Sequence, residues 1–219
     1  MGKKESKLII VGDGPFAEVA YEYFTYDSPR DSQRKVVTFS VEEAYLTRDR
    51  LFDLPVVPFE HLERIHDPVD HEFFVAVTYT QANALRKRLY DEAKRKGYTP
   101  ASYISSRAFV WPNCRLGEHC FVFENNVIQP FAKVGRNVVL WSGNHIGHHS
   151  IIKDHCFISS QVVVSGLCEV GEYSFMGVNS TVADHVTIGD RCVIGAGALV
   201  LGNVPDDQVV VGLWKKRPA

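Results

Sequence analysis

Residues 134–170 read VGRNVVLWSGNHIGHHSIIKDHCFISSQVVVSGLCEV, and an aliphatic side chain occupies every sixth position of this stretch. The same spacing continues in both directions without a gap, from Val110 to Val200. A period of six residues matches neither an α-helix nor an ordinary strand. It matches a triangular coil of 18 residues, in which each of three flat faces takes six residues of the repeat. Coils of this kind stack at the inter-strand spacing of about 4.8 Å.

A second series, of small or medium-sized residues, precedes the aliphatic series by two positions, and both series are expected to point inward. The aliphatic series comprises Val110, Leu116, Val122, Ile128, Val134, Leu140, Ile146, Ile152, Ile158, Val164, Val170, Met176, Val182, Ile188, Ile194 and Val200. The small series comprises Ala108, Cys114, Cys120, Asn126, Ala132, Val138, Asn144, Ser150, Cys156, Val162, Cys168, Ser174, Ser180, Val186, Cys192 and Ala198. Glycine or a polar residue is expected to turn each corner, as in Val134-Gly135, Val170-Gly171 and Ile188-Gly189.

All five cysteines fall in the small inward series, at separations that are multiples of six. A disulfide or a metal site needs cysteines that converge, for example as a CxxC pair. Residues distributed along a core behave instead as small buried hydrophobic side chains. The cysteines are therefore predicted to be structural.

The N-terminal half predicts a different fold. Lys7–Gly12 is a short apolar strand, and Gly12-Asp13-Gly14-Pro15-Phe16-Ala17 follows it in the G-x-G-x-x-A pattern of a phosphate-binding turn, although an ordinary tight turn is the alternative. The alternation of strands and helices predicts a small parallel sheet with helices on its faces. This sheet is too short for a full dinucleotide domain and favours a mononucleotide or nucleotide-sugar over NAD. The predicted elements are a helix through Phe24, strands at 35–39 and 73–78, a short helix at 58–62 and a longer helix at 83–96.

The composition of the chain excludes some classes of function. The 219 residues include 45% hydrophobic residues and carry a net charge of −2. This balance predicts a globular protein and argues against broad nucleic-acid binding, which needs a basic face. No apolar run approaches the ~18 residues of a membrane span, and no signal-peptide core follows Met1, so a cytoplasmic location is expected.

The order of these motifs resembles a known family. A strand, the GDGPFAE turn with its helix, an FVAV strand and then hexads from Ala108 are arranged as in the bacterial sugar acetyltransferases of the hexapeptide-repeat type. Typical members are the UDP-4-amino-sugar (bacillosamine-type) N-acetyltransferases and the sialic acid O-acetyltransferases. The resemblance implies a left-handed parallel β-helix over residues 106–219 and an α/β half-Rossmann domain for the nucleotide-sugar over residues 1–105. It also implies acetyl-CoA as co-substrate, a homotrimer that holds it between subunits, and no metal.

Four histidines cluster at positions 145, 148, 149 and 155. Because Ile146 points inward, His148 and His149 are placed outward, at and just past a corner. The resemblance implies that His148 is the general base, since Ile146-Gly147-His148-His149 aligns with the family pattern Ile-Glu-His-Glu. An exposed surface histidine is the alternative.

Other site residues follow from the same resemblance. His149 stands where the family has a Glu that orients the base. That role then falls to another acid, which could be Glu124, Asp154 or a residue of a neighbouring subunit, or no acid is needed. Gly166 lies one coil after His148 and is expected to leave its N–H open to the thioester carbonyl or oxyanion, although a plain corner glycine is the alternative. The acceptor-binding residues are predicted to be Gly12, Asp13, Gly14, Pro15 and Phe16.

Coenzyme A is expected along the last coils, where Ile194-Gly195-Ala196-Gly197-Ala198 supplies a backbone open to close approach. Ala196 is one candidate contact. Trp214 could stack on the adenine, and Lys215-Lys216-Arg217 could meet the phosphates, although a frayed basic tail is the alternative.

Three functions compete. The first is acetyl transfer from acetyl-CoA to the amino group of a nucleotide-linked sugar, with O-acetylation of sialic acid or another glycan precursor as the close alternative. The second is a γ-type carbonic anhydrase, which needs two zinc-binding histidines five residues apart, a spacing that His145, His148, His149 and His155 do not provide. The third is a non-catalytic trimeric scaffold.

Overall fold

The structure, a computed structural model, describes residues 6–27, 34–79 and 83–215. It contains two compact units. The first covers Met1–Thr80 and Leu85–Ser102, and the second covers Gln81–Ala84 and Tyr103–Ala219. Among the described residues, no helix is long and apolar enough to cross a membrane.

The first unit is an α/β sheet whose central strand is the predicted apolar one. Its strands and helices are β1 (Ser6–Val11), α1 (Pro15–Tyr26), β2 (Arg34–Val41), a 3₁₀ turn (Glu43–Tyr45), β3 (Arg50–Leu51), β4 (Leu54–Pro58), a 3₁₀ turn (Phe59–His61), α2 (Leu62–Ile65), β5 (His71–Val75), α3 (Ala84–Arg95) and β6 (Thr99–Pro100). The strand order across the sheet is β3-β4-β2-β1-β5-β6. β1 pairs in parallel with β2 on one side and β5 on the other, which explains why its last four residues are buried.

The sheet differs from the prediction at one edge. β3 and β4 are antiparallel, whereas the sequence predicted parallel strands alone. Phe52 and Asp53 join them with φ angles of 48° and 58°, and two residues of positive φ form the tight turn that reverses a hairpin. Tyr21 of α1 stacks on Phe52 with ring centroids 4.4 Å apart, so the hairpin is fixed to the helix.

The second unit is the predicted triangular coil. Two-residue strands pair in parallel with strands 18 residues later, for example Phe121 with Val139 and Val139 with Phe157. The first strand of the coil begins at Tyr103 and its last strand ends at Trp214, so the coil extends on both sides of the Val110–Val200 repeat and starts three residues before the predicted boundary at residue 106. Its last turns are shorter, because Ile194 pairs with Val210 and Val200 with Trp214.

Three faces enclose the core, and each is named here by its outward side chains. The aromatic face consists of Tyr103–Ile104, Phe121–Val122, Val139–Leu140, Phe157–Ile158, Phe175–Met176, Val193–Ile194 and Val209–Val210. The apolar face consists of Phe109–Val110, Val127–Ile128, His145–Ile146, Val163–Val164, Thr181–Val182, Leu199–Val200 and Leu213–Trp214. The charged face consists of Arg115–Leu116, Lys133–Val134, Ile151–Ile152, Glu169–Val170 and Thr187–Ile188.

Both inward series are buried as predicted, apart from the first members near the open end of the coil. Asn144, Ser150 and Ser174 of the inward series accept hydrogen bonds from backbone N–H groups of the next coil, as where Asn144 Oδ1 accepts from the Val162 N–H at 2.8 Å. The inward Ser180 Oγ has no hydrogen-bond partner. The cysteines line the same core, and burial raises the pKa of the Cys156 thiol to about 12. The prediction that they are structural is consistent with this packing.

The corner prediction was wrong for the glycines it named, whereas polar residues, its other option, do turn most of the corners. Gly135 has no positive φ, and a Cβ there would collide with Asp154 of the next coil, so this glycine is required by close stacking. The corner is turned two residues later, where Asn137 has a φ of 55°. The same left-handed conformation recurs at every sixth residue from His119 to Gly197. Asparagine and histidine tolerate this conformation better than most residues.

Adjacent residues of one strand should differ sharply in their contribution to stability. Ile152 is fully buried in the core, whereas Ile151 points outward on the charged face. We expect Ile152→Ala to lower the free energy of unfolding by about 2–4 kcal/mol, because it leaves a cavity in a packed core. Ile151→Ala should cost under about 1 kcal/mol. Denaturant titration at one fixed protein concentration measures both, and equal losses would contradict the inward register.

Candidate functional site

A cavity of about 400 Å³ opens at the carboxyl ends of β1, β2 and β5 in the first unit. The predicted acceptor-binding residues all line it, namely Gly12, Asp13, Gly14, Pro15 and Phe16. Ligands bind at this edge of open parallel sheets, where the chain leaves the central strand in both directions. A volume of this size is typical of a small-molecule site.

The turn from β1 to α1 has the geometry of an anion site. Gly12 has a φ of 122°, and a Cβ there would lie 2.8 Å from the Ala76 carbonyl oxygen, so only glycine fits. α1 begins with Pro15, and its N-cap, Gly14, makes no side-chain capping bond. The positive end of this helix therefore faces the cavity, where it favours negative charge.

Sequence reasoning missed the polar residues on the other strands that line the cavity. Ser40, Glu42, Tyr45 and Thr78 contribute to it from β2, the following 3₁₀ turn and the segment after β5. They lack a linear motif, because neighbouring strands of the sheet bring them together. Their position could have been inferred only from the parallel pairing of Val11 with Ser40.

His148 and His149 are exposed at the corner between the apolar and charged faces, as predicted. The His148 N–H donates to Gln129 Oε1 at 2.9 Å, which holds the backbone of this corner. The His148 ring lies directly against Gly166 of the next coil, because a Cβ on this glycine would be 2.7 Å from His148 Nε2.

Gly166 differs from its prediction. Its N–H is not open but donates to Asp184 Oδ1 at 2.8 Å, since Asp184 lies one further coil along the same corner. Gly166 has no side chain, and this leaves room for the imidazole of His148 to lie against the backbone of the next coil. The spacing of 18 residues that led from His148 to Gly166 also leads to Asp184, which sequence reasoning missed.

His149 contacts His148 directly. The two Nδ1 atoms are 3.2 Å apart and the rings are nearly perpendicular, at 84°. His149 has a φ of 60°, and its ring stacks on Phe131 of the preceding coil with centroids 4.6 Å apart. The second imidazole therefore lies between the first and the Phe131 ring.

The structure separates the other members of the histidine cluster. His145 points outward on the apolar face, and His155 is buried at the next corner, where its ring stacks on Tyr173. Asp154, a predicted alternative for orienting His148, binds Arg136 at 2.6 Å instead. Burial opposes ionisation of the Asp154 carboxyl, but the hydrogen bonds from Arg136 outweigh burial and lower its pKa.

The predicted coenzyme A contacts lie apart from His148 in the single chain. Ala196 is exposed at the corner between the aromatic and apolar faces, and Lys215 is exposed after the last strand. Trp214 is half-buried, and its predicted stacking on an adenine stays a prediction. It packs against the end of the core, and its Nε1–H donates to the Asn203 carbonyl at 3.2 Å. Lys216 and Arg217 lie outside the described residues.

Within the described part of the chain, no group of three or more His, Cys, Asp or Glu side chains is placed to hold a metal ion.

Comparison with known proteins identifies the class of the second unit. A family model described as bacterial transferase hexapeptide (six repeats) matches residues 131–166 and 167–202. None of the curated proteins compared with this sequence matches it.

Solved structures match both units. The chain is similar to a histidine variant of perosamine N-acetyltransferase from Caulobacter crescentus in complex with CoA and GDP-perosamine, with 25% identity, 94% of each chain covered and a TM-score of 0.82. It has the fold of the acetyltransferase domain of PglB from Neisseria gonorrhoeae, with 22% identity, 95% of this chain and 97% of that one covered, and a TM-score of 0.83. WeeI from Acinetobacter baumannii has the same fold, with 17% identity, 94% and 97% covered, and a TM-score of 0.70.

These findings confirm three predictions from the sequence. The fold is an α/β unit followed by a left-handed parallel β-helix. The resemblance to hexapeptide-repeat sugar acetyltransferases is confirmed, as is the prediction that the chain is an acyltransferase.

The contact between Gly166 and His148 predicts that the position of the His148 ring depends on the absence of a side chain at residue 166. We expect Gly166→Ala to push the imidazole aside, because its Cβ would lie 2.7 Å from Nε2. Displacing a reacting group by about 1 Å costs about a hundredfold in rate, so acyl-transfer turnover should fall by about that factor. The thermal midpoint should change little, since an exposed ring can rotate away.

Ser165→Ala is the matched control, because it changes the residue next to Gly166 and adds no atom against the His148 ring. Full turnover in Gly166→Ala with the ring unmoved in its crystal structure would contradict the assigned contact.

Proposed function

We propose that this protein transfers the acetyl group of acetyl-CoA to the amino group of a nucleotide-linked sugar, with His148 as the general base. The observation that carries the proposal is the exposed His148 imidazole lying against Gly166 in a β-helix of hexapeptide transferase repeats. The similar perosamine N-acetyltransferase, solved with CoA and GDP-perosamine, supports this choice of donor and acceptor. The cavity at Gly12–Phe16 supplies a place for the acceptor.

The proposed chemistry is direct transfer. The amine nitrogen attacks the thioester carbonyl and forms the C–N bond, while His148 Nε2 takes the proton that the nitrogen loses. The tetrahedral intermediate then breaks the C–S bond, and the departing sulfur of CoA receives that proton. No protein nucleophile is used, because the cysteines line the core and burial raises the pKa values of Cys156, Cys168 and Cys192.

His149 acts as the positioning residue for the base. A hydrogen bond between two Nδ1 atoms requires one donor and one acceptor. When His148 accepts a proton at Nε2, its Nδ1 carries hydrogen and donates to His149 Nδ1, 3.2 Å away. This fixes the productive tautomer and stabilises the imidazolium that forms. The His149 imidazole stands in place of the carboxylate that the family uses in this position.

The acceptor cavity is suited to a nucleoside diphosphate. The N-terminus of α1 attracts the diphosphate. The Asp13 carboxylate at the same turn lies 3.4 Å from Arg48 Nε, and this pairing reduces its repulsion of an anion.

The apolar face supports the proposed trimer. Phe109, Val163, Leu199 and Leu213 point outward from it and are between 37% and 57% exposed. The His148 corner borders one edge of this face, and the Ala196 corner borders the other. Packing the faces of three copies against one another would cover these side chains and bring His148 of one copy beside the Ala196 corner of the next. We therefore propose that CoA binds between copies, as the similarity to the hexapeptide-repeat enzymes implies.

The base is tested by substitution. We expect His148→Ala to lower kcat by at least about a hundredfold, since a positioned base contributes about 10²–10⁴ in rate. His149→Ala should lower kcat about tenfold, and His149→Glu should restore most of this loss, because a carboxylate also accepts from His148 Nδ1. The assay follows release of CoA thiol with acetyl-CoA and a panel of UDP-, dTDP- and GDP-linked amino and hydroxy sugars, which also separates N- from O-acetylation.

His185→Ala is the matched control, because His185 is an exposed histidine with a φ of 62°, the same backbone conformation as His149. Near-normal turnover in His148→Ala would remove the assigned base.

The assembly is tested at the apolar face. We expect the protein to sediment as a trimer and Leu199→Lys to dissociate it, because a charge would be buried in the interface. Activity should be lost together with the trimer. Thr187→Lys, on the charged face, should leave both unchanged. An active monomer in sedimentation velocity would contradict the shared CoA site.

A further inference from the structure

The backbone N–H groups at the His148 corner are all engaged in hydrogen bonds within the described part of the chain. The donors and acceptors are Gly147 to the Val164 carbonyl, His148 to Gln129 Oε1, His149 to the Pro130 carbonyl, Ser165 to the Val182 carbonyl, Gly166 to Asp184 Oδ1 and Leu167 to the His148 carbonyl. Acyl transfer passes through a tetrahedral intermediate whose oxygen carries negative charge, and this oxygen is stabilised by hydrogen-bond donors. A donor supplied by this corner must therefore be a side chain.

Gln129 carries a side-chain amide that is fixed beside His148. It lies one coil before Gly147 at the same corner, because Ile128 pairs with Ile146. Gln129 Oε1 accepts from the His148 N–H at 2.9 Å. Only the oxygen of an amide can accept from an N–H group, so this contact sets which end of the amide faces His148 and turns Nε2 away from it. The amide is therefore oriented before any ligand binds.

The Nε2 hydrogens of Gln129 are available to a ligand. Within the described part of the chain, Oε1 makes the one hydrogen bond of this side chain, and Nε2 is not enclosed. Ser165 lies one coil after Gly147 at the same position and offers a hydroxyl as a rival donor, but no hydrogen bond to a described residue fixes its direction. A donor stabilises an oxyanion most when its direction is set in advance. Gln129 therefore fits this role better than Ser165.

The two coils that adjoin His148 differ in what they leave open. The coil after it is filled, because the imidazole lies against Gly166, whose N–H is taken by Asp184. The coil before it contributes Gln129 and its unused donor. A thioester attacked beside His148 Nε2 therefore finds an oriented, free donor on the side of the preceding coil.

We propose that Gln129 is a further catalytic residue, whose Nε2–H donates to the oxyanion of the tetrahedral intermediate. The oxyanion forms when the amine lone pair makes the C–N bond and the carbonyl π electrons move to oxygen. The carbonyl is restored as the C–S bond breaks, and the donated hydrogen stays on Nε2 throughout. This inference rests on the proposed function, because it assumes that acetyl-CoA reacts at His148.

The kinetic test is Gln129→Glu, which keeps an oxygen to accept from the His148 N–H and loses the donor. We expect kcat to fall by about 10²–10³, the effect of removing one oxyanion donor. KM for acetyl-CoA should change little, because the oxyanion exists only during the reaction. Gln129→Ala should lose as much. The CoA-release assay is run across pH, so that an effect of the added charge on the base is separated from the loss of the plateau rate.

Two variants serve as matched controls. Gln208→Ala removes another half-buried glutamine side chain, at the corner between the charged and aromatic faces. Ser165→Ala removes the rival donor. Both should keep the kcat of the unmodified protein, and the thermal midpoint of each variant shows whether it folds.

A second measurement needs no acceptor. Isotope-edited infrared spectroscopy of acetyl-CoA labelled with ¹³C at the carbonyl, bound to the full chain, reports hydrogen bonding to the thioester oxygen through the carbonyl stretching frequency. We expect the frequency to rise in Gln129→Ala and Gln129→Glu, because a donor is lost. It should stay unchanged in Gln208→Ala and Ser165→Ala.

Turnover retained in Gln129→Glu overturns the proposal, since Gln129 then only holds the corner, and this variant decides the question if the alanine variant does not fold. An unchanged frequency in both Gln129 variants overturns it at any rate of turnover, as does a rise in Ser165→Ala. In these cases acetyl-CoA still binds, so the proposed function stands. If labelled acetyl-CoA does not bind, the proposed donor fails and the inference fails with it. If no sugar of the panel is acetylated, the frequency alone decides.

Discussion

The stacking of each residue on the residue 18 positions later is the constraint on which the second unit depends. Parallel pairing holds adjacent coils at about 4.8 Å, so a side chain at one position decides how much room the next coil has. Gly135 must lack a side chain for this reason, because Asp154 lies against it. The same constraint brings the ring of His148 onto Gly166. Core, corner and candidate base are consequences of one repeat.

The candidate catalytic residues lie at a corner of the coil, whereas the residues that stabilise the coil lie in its core. Strand residues divide between the core and the faces, whereas the two residues of each turn project away from the core. The corner of His148 and His149 is exposed, so its residues can change without disturbing packing, provided that the second residue tolerates positive φ. At another corner Asn137 and His155 are buried, and this freedom is absent. His149 meets this condition with a φ of 60° and gains a stacking partner in Phe131. A corner can therefore hold a pair of imidazoles that the core could not accommodate.

The candidate site of the first unit is assembled differently, from the ends of neighbouring strands. Its cavity collects the ends of three parallel strands, so residues far apart in the chain become neighbours through strand pairing. The Gly12–Gly14 turn is local and is recognisable as a motif. Glu42 and its partner Arg88 come from different elements, and their contact is tertiary. The glycine turn is thus encoded locally, whereas the contact between Glu42 and Arg88 is not.

The sequence by itself determined the coil, its inward residues and the outward direction of His148, because a six-residue period leaves one register in which aliphatic side chains are all buried. It also located the phosphate-type turn, which needs only glycines at set spacings. Tertiary structure alone decided that His149 contacts His148, that Asp184 takes the N–H of Gly166 and that Trp214 closes the core. It likewise decided the antiparallel hairpin and the Glu42–Arg88 pair. These depend on rotamers, local turn conformation and contacts between elements, which periodicity does not specify.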